Sequence, residues 1–94
     1  MKRKLKILPE ALSDVQQSID YYNQQQKGLG KRFSESTYKA IKKIAEMPQS
    51  ASISHNDIRY KVMNDFPFII TYRYDDKIVH ITRIFNTYLD SGKI

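Results

Sequence analysis

Two amphipathic stripes joined by a short glycine-containing link constrain the fold of this chain more than any other feature of its sequence. Apolar residues recur at three- and four-residue steps in the first stripe, which contains Ala11, Leu12, Val15, Ile19 and Tyr22. A second stripe starts directly after the link and contains Leu29, Phe33, Thr37, Ala40, Ile41 and Ile44. This spacing predicts two helices, which the short link forces to lie antiparallel against one layer. Of the adjacent tyrosines, Tyr22 rather than Tyr21 is expected in the core.

Proline and glycine set the predicted ends of the two helices. Pro9 suits the first turn of a helix, where its missing N–H costs nothing, and Pro48 ends the second helix. Gly28 and Gly30 can both take the left-handed conformation that closes a helix. Asp14 falls off the apolar stripe of the first helix and is therefore assigned to solvent.

The layer that the helices cover is predicted to be a β-sheet. Alternating polar and apolar residues favour a strand at 4–8, and β-rich segments favour three more at 58–63, 68–74 and 77–85. Residues 48–57 are predicted to form a surface loop and 86–94 a flexible tail. The predicted fold class is α+β with the order β-α-α-β-β-β, in which a helical hairpin packs on one face of a small, curved, mostly antiparallel sheet. The whole chain, 1–94, is expected to be one domain.

Composition narrows the class of protein. The chain has 94 residues, of which 40% are hydrophobic and 28% charged, as in an ordinary globular domain. Cysteine is absent, which excludes disulfides, thiolate metal sites and a cysteine nucleophile. No segment has the apolar core of a signal peptide or the ~20 apolar residues of a membrane helix. We therefore expect a cytoplasmic protein with no membrane partner, no metal and no cofactor.

Cations alternate with apolar residues in the second predicted strand. Arg59 and Lys61 are interleaved with Ile58, Tyr60 and Val62. One face of this strand is therefore expected to bury apolar groups, while the opposite face presents cations. The net charge of the chain is +6, and a cationic strand face needs an anionic or acidic partner.

Two further arginines lie in the last two predicted strands. Arg83 is in phase with Val79 and Ile81 of the fourth strand, which indicates an apolar edge or a β-bulge near it. Arg73 precedes a turn. A functional role and a solvated charge that discourages sheet-to-sheet aggregation are equally good explanations for it.

Six short segments, in order along the chain, together carry a resemblance to a known family. They are Ile19–Tyr22, Leu29–Phe33, Pro48, Ile58–Arg59, Phe66–Tyr72 and Ile81–Ile84. As an ordered set they resemble the RelE/ParE superfamily of bacterial toxins, which are encoded beside an antitoxin that wraps and neutralises them. The tyrosine pair, the LGKRF segment and the FPF strand are most similar to the ParE-type, or plasmid-stabilisation, branch. That resemblance implies a type II toxin that inhibits DNA gyrase, with Arg59, Lys61 and Arg83 contacting the target.

The RelE-type branch of the same superfamily offers an alternative activity, ribosome-dependent cleavage of messenger RNA. Such a nuclease needs a base, an acid and cations in one pocket. The resemblance would assign these roles to Arg59, Lys61, Arg83 and Tyr88. Against the nuclease pattern, however, Ile69 and Leu89 stand where arginine is expected, and Asn86 stands where histidine is common. His80 has no carboxylate or second histidine spaced to orient it, so packing or a surface hydrogen bond is its expected role, and His55 lies in the predicted loop.

The second helix carries a cationic outer face, which is most often a solvated surface. The resemblance makes it a docking site for an acidic antitoxin segment that folds on binding, in a hetero-oligomer, and the residues concerned are Lys31, Arg32, Lys39, Lys42 and Lys43. Because the nuclease residues are absent, gyrase inhibition ranks ahead of RNA cleavage. A third hypothesis is a degenerate, non-toxic module that only binds its antitoxin.

Overall fold

Five strands and two helices make up the fold in a computed structural model that describes residues 3–55 and 57–87. In chain order the elements are β1 (Lys4–Ile7), α1 (Pro9–Gln25), α2 (Leu29–Glu46), a 3₁₀ turn (Pro48–Ser50), β2 (Ser52–His55), β3 (Ile58–Val62), β4 (Phe68–Tyr74) and β5 (Ile78–Asn86). The α+β class and the predicted order of helices and strands are confirmed, with β2 as one additional short strand.

The strands form one mixed sheet in the order β1-β5-β4-β3-β2. Only β1 pairs in parallel, with β5, and every other pair is antiparallel. Strand β2 lies inside the segment predicted to be a loop. It escaped prediction because its sequence is polar and short, and because it forms the edge of the sheet by pairing with β3.

The two helices form the expected antiparallel hairpin, but the two glycines of the link have different roles. Gly28 takes a left-handed conformation with φ of 85°. Gly30 lies inside α2, and its amide donates a hydrogen bond of 2.9 Å to Oδ1 of Asn23 on α1. A Cβ atom at Gly30 would lie 2.7 Å from the carbonyl oxygen of Ile19. Gly30 therefore does not use the left-handed conformation open to it, and is instead needed for close approach of the helices.

The core lies between the helical hairpin and one face of the sheet. The buried apolar residues of α2, β4 and β5 include Phe33, Ile41, Ile44, Phe68, Ile70, Tyr72, Val79, Ile81 and Ile84. The Tyr22 ring packs against this core, with its centroid 5.3 Å from that of Phe33 and 5.1 Å from that of Phe66. Tyr21 is 50% exposed. The assignment of Tyr22 to the core is therefore confirmed.

A β-bulge interrupts the pairing of β4 with β5. Thr71 pairs with Arg83, but Tyr72 pairs with Ile81, so Thr82 is an extra residue in β5. The predicted irregularity near Arg83 is thereby confirmed. The bulge also changes which residues face the helices, because Ile84 joins the core after Val79 and Ile81.

The last strand extends one residue beyond its predicted end. Asn86 closes β5 and thus belongs to the sheet rather than to the predicted tail. Tyr88 and Leu89 fall outside the described residues, as does the rest of that tail. Within residues 3–55 and 57–87, neither helix has the length and apolar character needed to cross a membrane.

Candidate functional site

The cations of β3 lie on the side of the sheet opposite to the one expected. Arg59 pairs with Tyr72 of β4, and Lys61 pairs with Ile70. Directly paired residues share a face, and Tyr72 and Ile70 are both fully buried beneath the helices. Arg59 and Lys61 therefore lie on the helix side of the sheet. The expectation that this strand buries its apolar residues and turns its cations to an open face was wrong.

Partner strands explain this reversal. Phe68, Ile70 and Tyr72 make β4 the central strand of the core, so its pleat fixes which face of β3 points toward the helices. Tyr60 pairs with Thr71 and is only half-buried. Alternation within one strand shows that two faces differ, but the register with a neighbouring strand decides which face is covered.

Arg59 holds the segment that connects α2 to β2. One guanidinium nitrogen, Nη1, donates to the carbonyl oxygens of Gln49 and Ala51 at 3.2 and 2.7 Å. The guanidinium carbon also lies 5.4 Å from the ring centroid of Tyr74, and that of Arg3 lies 5.1 Å from the same centroid. Arg59 is consequently a structural cation, which fixes the 3₁₀ turn against the sheet.

The same connecting segment is held by a buried hydroxyl. Tyr72 is fully buried, and its hydroxyl donates a 2.6 Å hydrogen bond to the carbonyl oxygen of Pro48. Burial raises the pKa of Tyr72 above its ordinary value, although the nearby charge of Arg59 opposes this. Arg59 and Tyr72 thus anchor neighbouring carbonyls of one turn.

Lys61 has different neighbours. Its side chain lines a cleft between α2 and the end of β3, together with Lys39 and Lys43 of α2. The cleft has a volume of about 230 Å³. Of the three residues predicted to contact a target, Lys61 is thus the one grouped with residues predicted to contact an antitoxin.

Arg83 is paired with a carboxylate of the first helix. Its Nε and Nη2 atoms donate to the two carboxylate oxygens of Asp14 at 2.8 and 3.0 Å. One of these oxygens also accepts a 2.9 Å hydrogen bond from the main-chain amide of Ile84. The Arg83 guanidinium lies 4.8 Å from the Phe85 ring centroid. Asp14 is therefore not a solvent-facing residue, as its position on α1 suggested, but a clamp between α1 and β5.

The remaining cations of α2 are spread along its exposed surface. Lys31 and Arg32 are exposed in the first turn, and Lys42 is exposed with its ammonium group 5.3 Å from the Tyr38 ring centroid. These three residues do not line the cleft that contains Lys39 and Lys43. The predicted antitoxin surface is thus divided between an exposed helix face and a concave site.

No acid–base constellation is visible in the part of the chain that the structure describes. His80 pairs in register with Lys6 on one side and Arg73 on the other. Tyr88 and the His55 side chain lie outside the part of the chain that the structure describes. Among the described residues, no group of three or more His, Cys, Asp or Glu side chains could hold a metal ion.

Asp14 and Gly30 are the structural residues that the sequence patterns missed. Asp14 lies 69 residues from Arg83 along the chain, so no local spacing connects them. The sequence did carry a signal at Gly30, because glycine is a poor helix former and a second glycine within the first turn of a helix is unusual. That signal was assigned to backbone conformation, whereas it reflected contact with Ile19 and Asn23.

Comparisons with known proteins agree with this architecture. A family described as the ParE toxin of the type II toxin-antitoxin system parDE matches residues 5–87. None of the curated proteins compared with the chain matches it.

Two solved structures share the fold. A chain of the chromosomal ParDE TA system from P. aeruginosa is 19% identical with a TM-score of 0.82, over 90% of this chain and 96% of that one. A chain of the E. coli DinJ-YafQ toxin-antitoxin complex is 11% identical with a TM-score of 0.63, over 94% and 96% respectively. At these identities the likeness is one of fold alone. The family match spans most of the sequence and agrees with the RelE/ParE resemblance, and the chain therefore belongs to the ParE toxin family of type II toxin-antitoxin systems.

Proposed function

We propose that this protein is a toxin that acts on DNA gyrase in the bacterial cytoplasm and is neutralised by a cognate antitoxin. The family membership supports the general role. The observation that carries the choice of gyrase over messenger RNA is the separation of the three predicted target-binding cations into three different environments. Arg59 contacts main-chain carbonyls, Lys61 lines a cleft with lysines, and Arg83 pairs with Asp14.

This separation argues against RNA cleavage on chemical grounds. A ribonuclease must bring a base, an acid and a phosphate-stabilising cation to one reacting group at hydrogen-bond distance. Two of the three cations are engaged in structural contacts within the chain. His80 pairs in register with Lys6 and Arg73 and interacts electrostatically with Asp75, but it lies on β5 apart from Lys61. Inhibition by binding to a protein makes no such demand. It requires only a surface of suitable shape and charge.

The proposed target surface includes Arg59, Lys61 and Arg83, with Lys61 as the residue best placed to contact a partner directly. Arg59 and Arg83 contribute by holding the α2–β2 connection and the α1–β5 contact in place. Lys61 is half-buried and lines the cleft between α2 and β3. Its replacement by alanine removes a cation but none of the hydrogen bonds described for Arg59 or Arg83.

Pulse-labelling distinguishes the possible targets. DNA synthesis and protein synthesis are measured in the first minutes after this chain alone is induced in a bacterial host. We expect DNA synthesis to fail first. Earlier failure of protein synthesis would overturn the proposal in favour of the ribosome and messenger RNA. Continued growth with both processes intact would identify a module that only binds its antitoxin.

A second assay tests gyrase directly. Purified chain is added to gyrase and relaxed plasmid, and supercoiling is followed on gels. We expect inhibition by the natural chain and weaker inhibition by Lys61→Ala. A Lys77→Ala variant, in which an exposed cation of the β4–β5 turn is removed, is the matched control. Full supercoiling in the presence of excess natural chain would contradict the proposed target.

The proposed antitoxin surface is the cationic part of α2. Its residues are Lys31, Arg32, Lys39, Lys42 and Lys43, all of which are exposed. An acidic segment that folds on binding would be drawn to this surface by charge, and its association should weaken as salt rises. Binding to the purified antitoxin that is insensitive to salt would count against this surface.

A further inference from the structure

The cleft between α2 and β3 gathers cations from two separate elements. Lys39 and Lys43 are four residues apart on α2, so their side chains lie on one face of the helix. Lys61 reaches the same cleft from β3. A local sequence pattern cannot bring these residues together, because it is the packing of the helix on the sheet that does so.

These three lysines are not neutralised within the described structure. Among the side chains that the structure describes, the only ion pair joins Arg83 to Asp14. Asp65 lines the cleft, but its carboxylate accepts a hydrogen bond from Ser36 at 3.4 Å and makes no ion pair with a lysine. Three like charges beside one carboxylate leave the cleft with an excess of positive charge, which favours an anionic occupant.

The lining also contains an apolar component. Ala40 is half-buried, Met63 is buried, and Val62 is 54% exposed at the rim. No aromatic side chain is present among the described residues that line the cleft. Surfaces that bind single-stranded nucleic acid combine cations with aromatic rings on which bases stack. A mixture of ammonium groups and aliphatic side chains instead suits a peptide that carries carboxylates beside apolar residues.

We propose that this cleft is a carboxylate-binding site in which Lys39, Lys43 and Lys61 together hold an acidic, amphipathic segment of a partner protein. Glutamate or aspartate side chains of the segment lie against the ammonium groups, and its apolar side chains cover Val62 and Ala40. The identification of this segment with the antitoxin rests on the proposed function. A consequence is that Lys61 serves antitoxin binding, so an occupied cleft withholds Lys61 from the target.

Direct binding of a defined peptide tests the site without reference to toxicity. The probe is a labelled peptide of about fifteen residues with glutamates and leucines on opposite faces of a helix. Its association with the full chain is measured by fluorescence anisotropy at low and high salt. A peptide in which every glutamate is replaced by glutamine is the matched control for charge. We expect salt-sensitive binding of the acidic peptide only.

Two charge-matched triple variants locate the binding. Lys39→Gln with Lys43→Gln and Lys61→Gln changes the cleft, while Lys4→Gln with Lys6→Gln and Lys77→Gln changes the same charge at exposed positions elsewhere. The cleft variant is expected to weaken binding about tenfold, since three solvent-accessible ion pairs each contribute modestly. The other variant should change it little. Equal weakening in both variants, or no binding at all, would overturn the site.

Chemical protection gives a second measurement on the natural chain, which does not depend on how the variants fold. Lysine acetylation is followed by mass spectrometry with and without the acidic peptide. Protection of Lys39, Lys43 and Lys61, but not of Lys4 and Lys77, supports the site. Tighter binding of a single-stranded oligonucleotide of equal charge, with protection of the same lysines, would make the cleft a nucleic-acid site and refute the proposal. Because none of these readouts involves growth or gyrase, a non-toxic chain that binds the peptide would refute the proposed function alone.

Discussion

Asp14 and Arg83 join the first helix to the last strand through two hydrogen bonds of 2.8 and 3.0 Å. The Asp14 carboxylate also accepts the amide of Ile84, immediately after the bulge in β5. One side chain therefore fixes both the position of α1 and the irregular backbone of its partner strand. Loss of the Asp14 side chain therefore removes three hydrogen bonds at once.

Asp14→Ala is expected to lower the free energy of unfolding by about 1–3 kcal/mol, because it leaves the Ile84 amide and the Arg83 guanidinium without the carboxylate. Asp14→Asn is the matched control, since its amide oxygen can still accept the Ile84 amide while the charge is lost. Urea unfolding at neutral pH measures both. A loss from Asp14→Asn as large as that from Asp14→Ala would show that the charge, and not the main-chain hydrogen bond, dominates.

Gly30→Ala should destabilise the helical hairpin, although alanine is normally the better helix former. The added Cβ would lie 2.6 Å from Oδ1 of Asn23 and 2.7 Å from the carbonyl oxygen of Ile19. Because the second contact is with backbone, the helices must move apart, at a cost of about 1–3 kcal/mol. Thermal unfolding followed by circular dichroism provides the measurement.

Gly28→Ala serves as the comparison for this prediction. A Cβ at Gly28 meets nothing within 4 Å, so its cost comes only from the left-handed backbone conformation. That cost is about 1 kcal/mol. A Gly30→Ala variant more stable than the natural chain would contradict the tight helix contact.

The raised pKa of Tyr72 predicts that the folded chain loses stability in alkaline solution. Its pKa in the folded chain is raised above the ordinary value of 10.0, chiefly by burial. The stability associated with its protonated form is thus complete below pH 10 and is lost as pH rises toward the folded pKa, since the unfolded chain ionises first. Urea midpoints measured from pH 7 to about 11 should fall less steeply for Tyr72→Phe than for the natural chain.

The Tyr72→Phe variant isolates this effect because every other ionisable group is unchanged, including Tyr22, whose pKa is also raised by burial. At neutral pH it should itself be less stable by about 1–2 kcal/mol, since the Pro48 carbonyl loses its hydrogen bond. Identical pH slopes for the two proteins would mean that Tyr72 ionises equally easily in the folded and unfolded chains.

Arg59→Ala is expected to cost about 1–2 kcal/mol by removing the hydrogen bonds to the Gln49 and Ala51 carbonyls. Lys61→Ala, which changes a cation on the same strand without any described hydrogen bond, should stay within about 0.5 kcal/mol. Chemical unfolding of the two variants gives the comparison. If Arg59 is structural, the loss of toxicity in Arg59→Ala should match the loss of folded protein. A variant that is as stable as Lys61→Ala but less toxic would argue that Arg59 acts on the target instead.

Local periodicity was sufficient for the helices, because the positions of Phe33, Ile41 and Ile44 repeat with the helical turn and tertiary packing agrees with that repeat. Periodicity also showed that β3 has two different faces. It could not tell which face is covered, since that depends on the register of Arg59 with Tyr72 and of Lys61 with Ile70.

The candidate site was less predictable than the fold for a related reason. The sequence identified Lys61, Lys39 and Lys43 as cations, but their common cleft arises only when α2 packs beside β3. Arg83 was recognised as a motif residue, yet its partner Asp14 lies far away in sequence. Contacts of this kind follow from the complete fold, whereas strand and helix signals are local.

The parallel pairing of β1 with β5 has a consequence for synthesis of the chain. Lys4 pairs with Ile78, so the first strand acquires its neighbour only after β5, more than seventy residues later, has left the ribosome. The Asp14 clamp likewise waits for Arg83. Contacts between such distant segments form slowly because a long loop must close first. The sheet thus stays incomplete until β5 has been made, and this interval gives a partner protein time to bind the chain before the sheet is finished.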